Sequence, residues 1–391
     1  MRTFFLHRFV LMLGNIITGL AVLAPAGMLA DLSKGLNVGI HDAGLLVTYG
    51  AVVLCIASPV MAWLTTRIDR RTLLVATLAV MAIGQALSAV APNYATILVL
   101  RVAMLTIAAI FTPQAAAAIG LIVPEKERAS AISFVFLGWS LAVAGGLPLI
   151  TFIASHLGWR TAFGILGGAA VAVALLSFFV LPRGLQGKPL SLLSFAEIGR
   201  SRRIVLILLL TLVQTSGQFT VFIYFAPLLA VLAGADATTI GLFFALYGAT
   251  GLLGNIIASA VVTRLGIERT LAACLATIVI GMGLWAVGAG SVAIMGIGVG
   301  VWGLGFAAIN SMQQARLAAA APDLTSASIA MNTSILYVGQ AFGSAAGGAL
   351  FATGHVQLVG YAGLGFVALA AVLLAVTWQR PARKALHKKE A

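Results

Sequence analysis

Charge is what this sequence has least of. Only 8% of its 391 residues are Asp, Glu, Lys or Arg, whereas a water-soluble domain carries roughly a quarter. A surface so poor in charge cannot face water, so a soluble multidomain reading fails even though the length would allow it. Cysteine is nearly absent: Cys55 and Cys274 stand far apart inside apolar runs. That excludes a disulfide framework and a thiolate metal site. The five histidines (His7, His41, His156, His355 and His387) lie near the ends or between apolar runs, with no two at metal-ligand spacing. No metal and no cofactor is therefore expected. A Walker-type phosphate loop is also missing, so this chain alone is not expected to hydrolyse ATP.

What the sequence has is apolar residue after apolar residue, 61% hydrophobic with a mean hydropathy of +1.10. A membrane span needs about 20 such residues, and the runs divide at 9–30, 43–64, 72–91, 96–121, 130–155, 161–181, 204–232, 239–262, 270–289, 292–317, 327–353 and 360–379. Lipid leaves only helices or closed barrels to satisfy the backbone, and short alternating strands of barrel type are absent. The expected fold is an all-α membrane protein of twelve transmembrane helices. The first run follows Arg2 and Arg8 and is longer than the roughly 7–15 residues of a signal-peptide core, so it reads as a retained span.

The net charge of +13 is explained by where the basic residues fall. Of the 23 Lys and Arg residues, 20 lie in the two tails and the connections on their side. Lys34 and Arg160 lie on the other side, and Arg101 falls inside a span. Positive residues mark the cytoplasmic side, so both termini are expected in the cytoplasm and the protein in the inner or plasma membrane. No aromatic residues interleave with the basic clusters to stack bases, so nucleic acid is not an expected partner. The longest basic connection divides the chain into a bundle at 1–182, a linker at 183–203, a second bundle at 204–379 and a basic tail at 380–391. Within the linker, Ser194 and Glu197 have capping-box spacing, which fits a short interfacial helix as well as a plain linker.

The halves echo one another. Gly44 with Tyr49-Gly50-Ala51 parallels Gly241 with Tyr247-Gly248-Ala249, and Thr66-Arg67 with Arg71-Thr72-Leu73 parallels Thr263-Arg264 with Arg269-Thr270-Leu271, at an offset of 197–198 residues. Parallel repeats of six spans with a site between them form an alternating-access architecture. Ala62 through Thr66-Arg67 to Arg70-Arg71 occupies the place of an inner-loop motif, Gly-x-x-x-Asp-Arg-x-Gly-Arg-Arg. Arg101 opens the fourth-span motif. Gly138 and Gly146-Leu147-Pro148 match the fifth span, Gly158-Trp159-Arg160 the start of the sixth, and Gln218-Phe219 with Tyr224-Phe225-Ala226-Pro227 the seventh. In these features the sequence resembles the major facilitator superfamily, in its drug–proton antiporter and sugar-efflux branch, over nearly the whole chain.

The resemblance implies two pseudo-symmetric six-helix bundles and a secondary transporter, working as a monomer and exporting a small organic solute, drug-like or sugar-like. It implies a coupling proton, and gating roles for Thr66, Arg67, Arg70, Arg71, Gly138, Gly146 and Pro148. Departures bear on this: Ala62 replaces the motif's glycine, Thr66 its aspartate, and Ile150 the glycine that usually ends the fifth-span motif. Threonine can offer the cytoplasmic latch only a neutral hydrogen bond. Uptake and facilitated or exchange transport remain open alternatives. So does a membrane enzyme, although the acidic, His, Ser or Cys cluster it needs is missing, and so does a transporter-like sensor.

Polar residues inside spans are costly and mark cavities or partner helices. Helical spacing aligns Asn15 with Thr18, Thr211 with Gln214 and Gln218, and Thr333 with Tyr337, Gln340 and Ser344. The candidate substrate-binding set is Asn15, Thr18, Arg101, Gln214, Gln218, Tyr224, Asn310, Gln314, Tyr337 and Gln340. Hydrogen bonding between helices is the competing use for each. All ten carboxylates (Asp31, Asp42, Asp69, Glu125, Glu127, Glu197, Asp236, Glu268, Asp323 and Glu390) fall in loops, at span edges or in the tail. Asp31 and Asp42 stand nearest a proton path, and water is expected to hold both near the ordinary value of about 4. The polar set lacks charge apart from Arg101, which fits a neutral or weakly charged solute.

Overall fold

A computed structural model describes residues 2–65, 67–124, 127–186, 192–321 and 324–378. Among them there is no strand, and twelve helices are long and apolar enough to cross a membrane. Spans one to three are Arg2–Gly27, Ile40–Leu64 and Arg70–Val90. The fourth joins Tyr94–Ala108 to Phe111–Ile122, the fifth runs from Arg128 to Leu157, and the sixth is Trp159–Val180. The seventh joins Arg202–Phe222 to Phe225–Ala233. Spans eight to twelve are Ala237–Leu265, Ile267–Val287, Val292–Ala320, Thr325–Ala352 and Leu358–Thr377.

The sequence sets where these helices start and where they bend. Asp69, Asn93 and Asp236 each sit just outside a helix and accept the backbone N–H three residues on, at 3.1, 2.9 and 2.8 Å. Such caps satisfy donors the helix leaves open. Proline produces the breaks, because it has no N–H to return to the carbonyl four residues back. Pro113 follows the break in the fourth span and Pro227 the one in the seventh. Pro148 follows a π-helical turn at Ala142–Gly146 in the fifth. The first span also ends at Gly27, earlier than the apolar run, and a short helix at Leu29–Leu36 carries the chain onward.

Both ends of the described chain, the basic connections and a short helix at Leu192–Arg200 lie at one end of the bundle, here called the basic end. Ser194 falls inside that short helix rather than capping it. Span three packs on span six, and span one on span five. In the second half, span nine packs on ten and span seven on eleven and twelve. The halves meet where span two lies on eleven and span five on eight.

Candidate functional site

Two polar networks lie in the interior, one in each half. In the first, the Trp139 indole N–H donates to Thr112 Oγ1 at 3.2 Å, and that hydroxyl donates to Asn15 Oδ1 at 2.8 Å. Asn15 Nδ2 donates to the Val135 carbonyl at 3.0 Å, so its amide is satisfied and fully buried. In the second, Gln313 Nε2 donates to Thr211 Oγ1 at 3.0 Å, and Thr211 donates to Asn332 Oδ1 at 2.8 Å. Asn332 Nδ2 then reaches Asn310 Oδ1 at 3.2 Å. Thr112 and Asn310 are 198 residues apart, and Val135 and Asn332 are 197 apart, which is the offset of the repeat. The same crossing of three helices is therefore tied by polar groups in both halves.

One turn further along span seven, Gln214 and Gln218 share a face. Gln218 Nε2 donates to Gln214 Oε1, Gln214 Nε2 donates to Thr215 Oγ1 at 2.8 Å, and the Trp302 indole donates to Gln218 Oε1 at 2.9 Å. Trp302 stands edge-on to Tyr247, with ring centroids 4.8 Å apart, within an aromatic cluster that includes Phe225 and Trp285.

The remaining candidates are placed differently. Thr18 donates back to the Gly14 carbonyl within its own helix. Tyr337 and Gln340 are buried on span eleven, and Gln314 is half-buried on span ten. Arg101 is buried and donates from Nη2 to the Ala21 and Val22 carbonyls at 3.1 and 3.2 Å. Pro25 has no N–H to give the Ala21 carbonyl, so the guanidinium supplies the missing donor. Tyr224 lies apart from Gln214 and Gln218, in the seam between the halves. A Cβ at Gly44 would stand 2.2 Å from its Oη, and one at Gly348 2.4 Å from it. Nearby, Thr48 Oγ1 donates to Ser344 Oγ at 2.7 Å across the same seam. These contacts close the far end, opposite the basic one.

Among the residues assigned to gating, Thr66 lies outside the described residues. Arg67 is exposed, and Arg70 is buried. Arg71 donates to the Phe178 carbonyl and sits over that residue's ring at 4.6 Å. Gly138 allows spans one and five to touch, since a Cβ there would be 2.4 Å from the Met12 carbonyl. Gly146 faces Leu20, and Pro148 faces Gly241 across the seam. The tightest contact with backbone across the seam is at Gly248, where a Cβ would lie 2.3 Å from Ala144 Cα.

Asp69 is an acid that the motif comparison passed over. Its Oδ2 accepts the Leu185 N–H at 2.7 Å, and the Arg70 N–H donates to the Leu185 carbonyl at 3.0 Å, so the linker is clasped to the loop before span three. Burial, the largest single influence, pushes the Asp69 carboxyl up, but hydrogen bonds from Thr72, Leu185 and Gly184 together outweigh it and hold it below its ordinary value. The spacing of Asp69 to Thr72 was the available signal, since it is a helix-capping pattern. Asn332, Gln313, Trp139, Trp302 and Gly248 were also missing from the candidate set. Asp31 departs from the expected ordinary value: burial beside Leu29 and Leu32 pushes its carboxyl up, and Lys34 only partly offsets this.

The family model described as Major Facilitator Superfamily matches residues 11–333 and 207–391. A "Probable sugar efflux transporter" of Helicobacter pylori (strain HPAG1) is 29% identical over 95% of this chain and 94% of its own. The "Inner membrane transport protein YdhP" of Escherichia coli (strain K12) is 27% identical over 88% of both chains. A crystal structure of a D-xylose–proton symporter superposes with a TM-score of 0.76 at 17% identity, covering 95% of this chain and 97% of that one. With the twelve spans, the family match and these relatives in place, the chain belongs to the major facilitator superfamily and is a membrane transporter, not an enzyme.

Proposed function

We propose that the protein exports a small neutral, polyhydroxylated solute by alternating access, with its basic end in the cytoplasm. The observation that carries the reading is the chemistry of the interior networks. Amides, hydroxyls and indole N–H groups from Asn15, Thr112, Trp139, Gln214, Gln218, Asn310, Asn332 and Trp302 come from both halves, and none carries a charge. Among the described residues, the acids stand at span ends or in connections rather than in the networks. Hydroxyl-rich solutes exchange hydrogen bonds with such groups without burying an ion. The sugar-efflux name of one relative agrees with this chemistry.

Alternating access requires a seam that opens, and the Thr48–Ser344 contact towards the far end and the Gly248–Ala144 contact midway along spans five and eight supply one. The basic bias of the tails supports the orientation, and the name of the sugar-efflux relative supports export. The test is counterflow in proteoliposomes against a panel of pentoses, hexoses and drug-like cations. Neutral sugars should be transported, and Gln214→Ala and Gln218→Ala should each weaken sugar binding in protein that remains folded. Transport of cations but not sugars would overturn the assignment of substrate class.

A coupling proton is the second reading, favoured by the raised carboxyl of Asp31 in the short helix after span one. If Asp31 carries the proton, Asp31→Asn should abolish sugar-driven proton flux while leaving counterflow intact. Unchanged flux in that variant removes Asp31 from the coupling path.

A further inference from the structure

A cleft of about 410 Å³ opens at the basic end of the second half, away from the interior networks and between the starts of spans seven and nine and the ends of spans ten and twelve. Its polar wall is Arg202, Arg203, Arg316 and Glu268, and its apolar wall includes Leu206, Val376 and Trp378. Three arginines against one carboxylate leave the cleft positive. Arg202 and Arg203 are exposed, and neither has an acidic partner among the described residues.

Arg316 is the built part of the site. It is only 4% exposed. Its Nε donates to Glu268 Oε1 at 2.8 Å, and its Nη2 donates to the Thr377 carbonyl and hydroxyl at 3.0 and 3.1 Å. Those bonds fix the plane of the guanidinium, yet Nη1 has no partner among the described residues. An unfilled donor on a buried cation costs free energy unless something accepts from it. Glu268 answers only one edge of the fork with Oε1, its Oε2 being unpartnered as well, and no described residue supplies an acceptor for Nη1.

We infer that this cleft binds the phosphodiester headgroup of an anionic phospholipid. The phosphate oxygens accept from Arg316 Nη1, and Arg202 and Arg203 supply long-range attraction. The apolar wall argues for a lipid rather than free phosphate. Leu206 lies one turn into span seven, where an acyl chain begins, and Val376 and Trp378 sit at the end of span twelve, where indoles favour the headgroup layer. Basic pockets between spans on the cytoplasmic side take anionic headgroups by this chemistry. The inference is independent of which solute is carried.

The experiment measures lipid binding to the purified full-length protein in detergent, by native mass spectrometry and by thermal shift. The probes are dioleoyl phosphatidylglycerol, dioleoyl phosphatidylcholine and inorganic phosphate. The exposed pair Arg202→Gln with Arg203→Gln should fold normally. Its control is Arg264→Gln with Arg269→Gln, which removes the same charge from the same end but outside the cleft. The parent and the control should bind phosphatidylglycerol alike and in preference to phosphatidylcholine. The cleft variant should bind it about tenfold more weakly, or worse. Equal loss in both double variants would reduce the effect to diffuse surface charge and overturn the site. Equal stabilisation by inorganic phosphate would overturn the lipid, and unchanged binding in the cleft variant would overturn both. Arg316→Lys, which keeps the charge but loses the fork, should weaken selectivity for phosphatidylglycerol in whatever fraction folds.

Discussion

The first six spans and the last six repeat one pattern of polar positions but fill the space around it with different side chains. Around Asn15 and Thr112 the interior is built largely from small and aliphatic residues such as Ala108, Ala115, Ala142 and Leu105, with Phe111 and Trp139 as the large rings beside them. Around Gln218 it is aromatic: Phe222, Phe225, Phe244, Tyr247, Trp285, Trp302 and Phe306 stack or meet edge to edge. Rings hold their geometry through specific contacts, whereas small residues let backbones approach and slide. The two halves thus hold a shared polar crossing with different packing. Their seam, between spans two and eleven and between five and eight, is where the difference is felt.

The sharpest way to break that comparison is at the seam. Gly248→Val forces a side chain onto the Ala144 backbone, which cannot yield cheaply. Overpacking of this kind costs about 1–3 kcal/mol, paid only in the state closed at the far end. With Thr48→Cys and Ser344→Cys introduced after removal of Cys55 and Cys274, oxidation should cross-link the closed state. Adding Gly248→Val should reduce the cross-link to background and stop transport. Gly145→Val, facing open space on the same π-helical turn, should leave both intact. Equal loss in the two variants would mean that the turn, not the contact, is what matters.

Next come the networks. Gln218→Ala strands the Trp302 indole donor inside the aromatic cluster, which should cost about 1–3 kcal/mol. Asn15→Ala and Asn332→Ala each remove two hydrogen bonds between spans, worth about 0.6 kcal/mol apiece in lipid. Denaturation in detergent should rank Gln218→Ala as the most damaging, with the two asparagine variants close together. A large gap between those two would show that the repeat is only geometric.

The basic end offers a smaller contrast. Asp69 ties the first half to the linker, while Glu268 closes the second half on itself through Arg316. Asp69→Ala removes a cap and a clasp together, at a cost of about 1–2 kcal/mol. It should also speed proteolysis within 183–203, whereas Glu268→Gln should not. Equal cleavage rates would dissolve the distinction.

Much of the fold was legible because lipid imposes a simple rule: a run of about 20 apolar residues must be a helix. All twelve spans were found, and their boundaries shifted by a few residues where a cap such as Asn93 lay beyond the apolar run. The breaks in spans four and seven were less visible, since Pro113 and Pro227 only delete a bond and local packing chooses bend or break. The polar faces of spans one and seven were readable from spacing. Their partners were not: Asn332 was passed over for its neighbour Thr333, because spacing cannot say which of two adjacent polar residues points at another helix. Arg101 needed the Ala21 carbonyl that Pro25 frees, a contact between distant segments. Asp31 reads as a loop acid by sequence, whereas it stands half-buried on a short amphipathic helix whose Leu29 and Leu32 are buried.

The smallest expected effect compares two acids at the far end. Asp31, in the first half, is half-buried, and burial raises its carboxyl above the ordinary value despite Lys34. Asp236, in the second, is exposed and lowered, chiefly by hydrogen bonds from the Thr239 side chain and N–H. The signs for folding are opposite. A raised folded value gives stability that is complete below the unfolded value of about 4 and is lost as pH rises through the folded one. A lowered folded value gives stability that is present above the unfolded value and is lost as pH falls through the folded one. Asp31→Asn should therefore melt higher than the parent at pH 7, with the gap closing towards pH 4. Asp236→Asn should melt slightly lower at pH 7, because Asn still caps the helix and only the charge-assisted part is lost, and its gap should also close on acidification. Shifts of the same sign at pH 7 would show that burial does not separate the two sites, and would leave Asp31 an ordinary solvated acid with no claim to a proton.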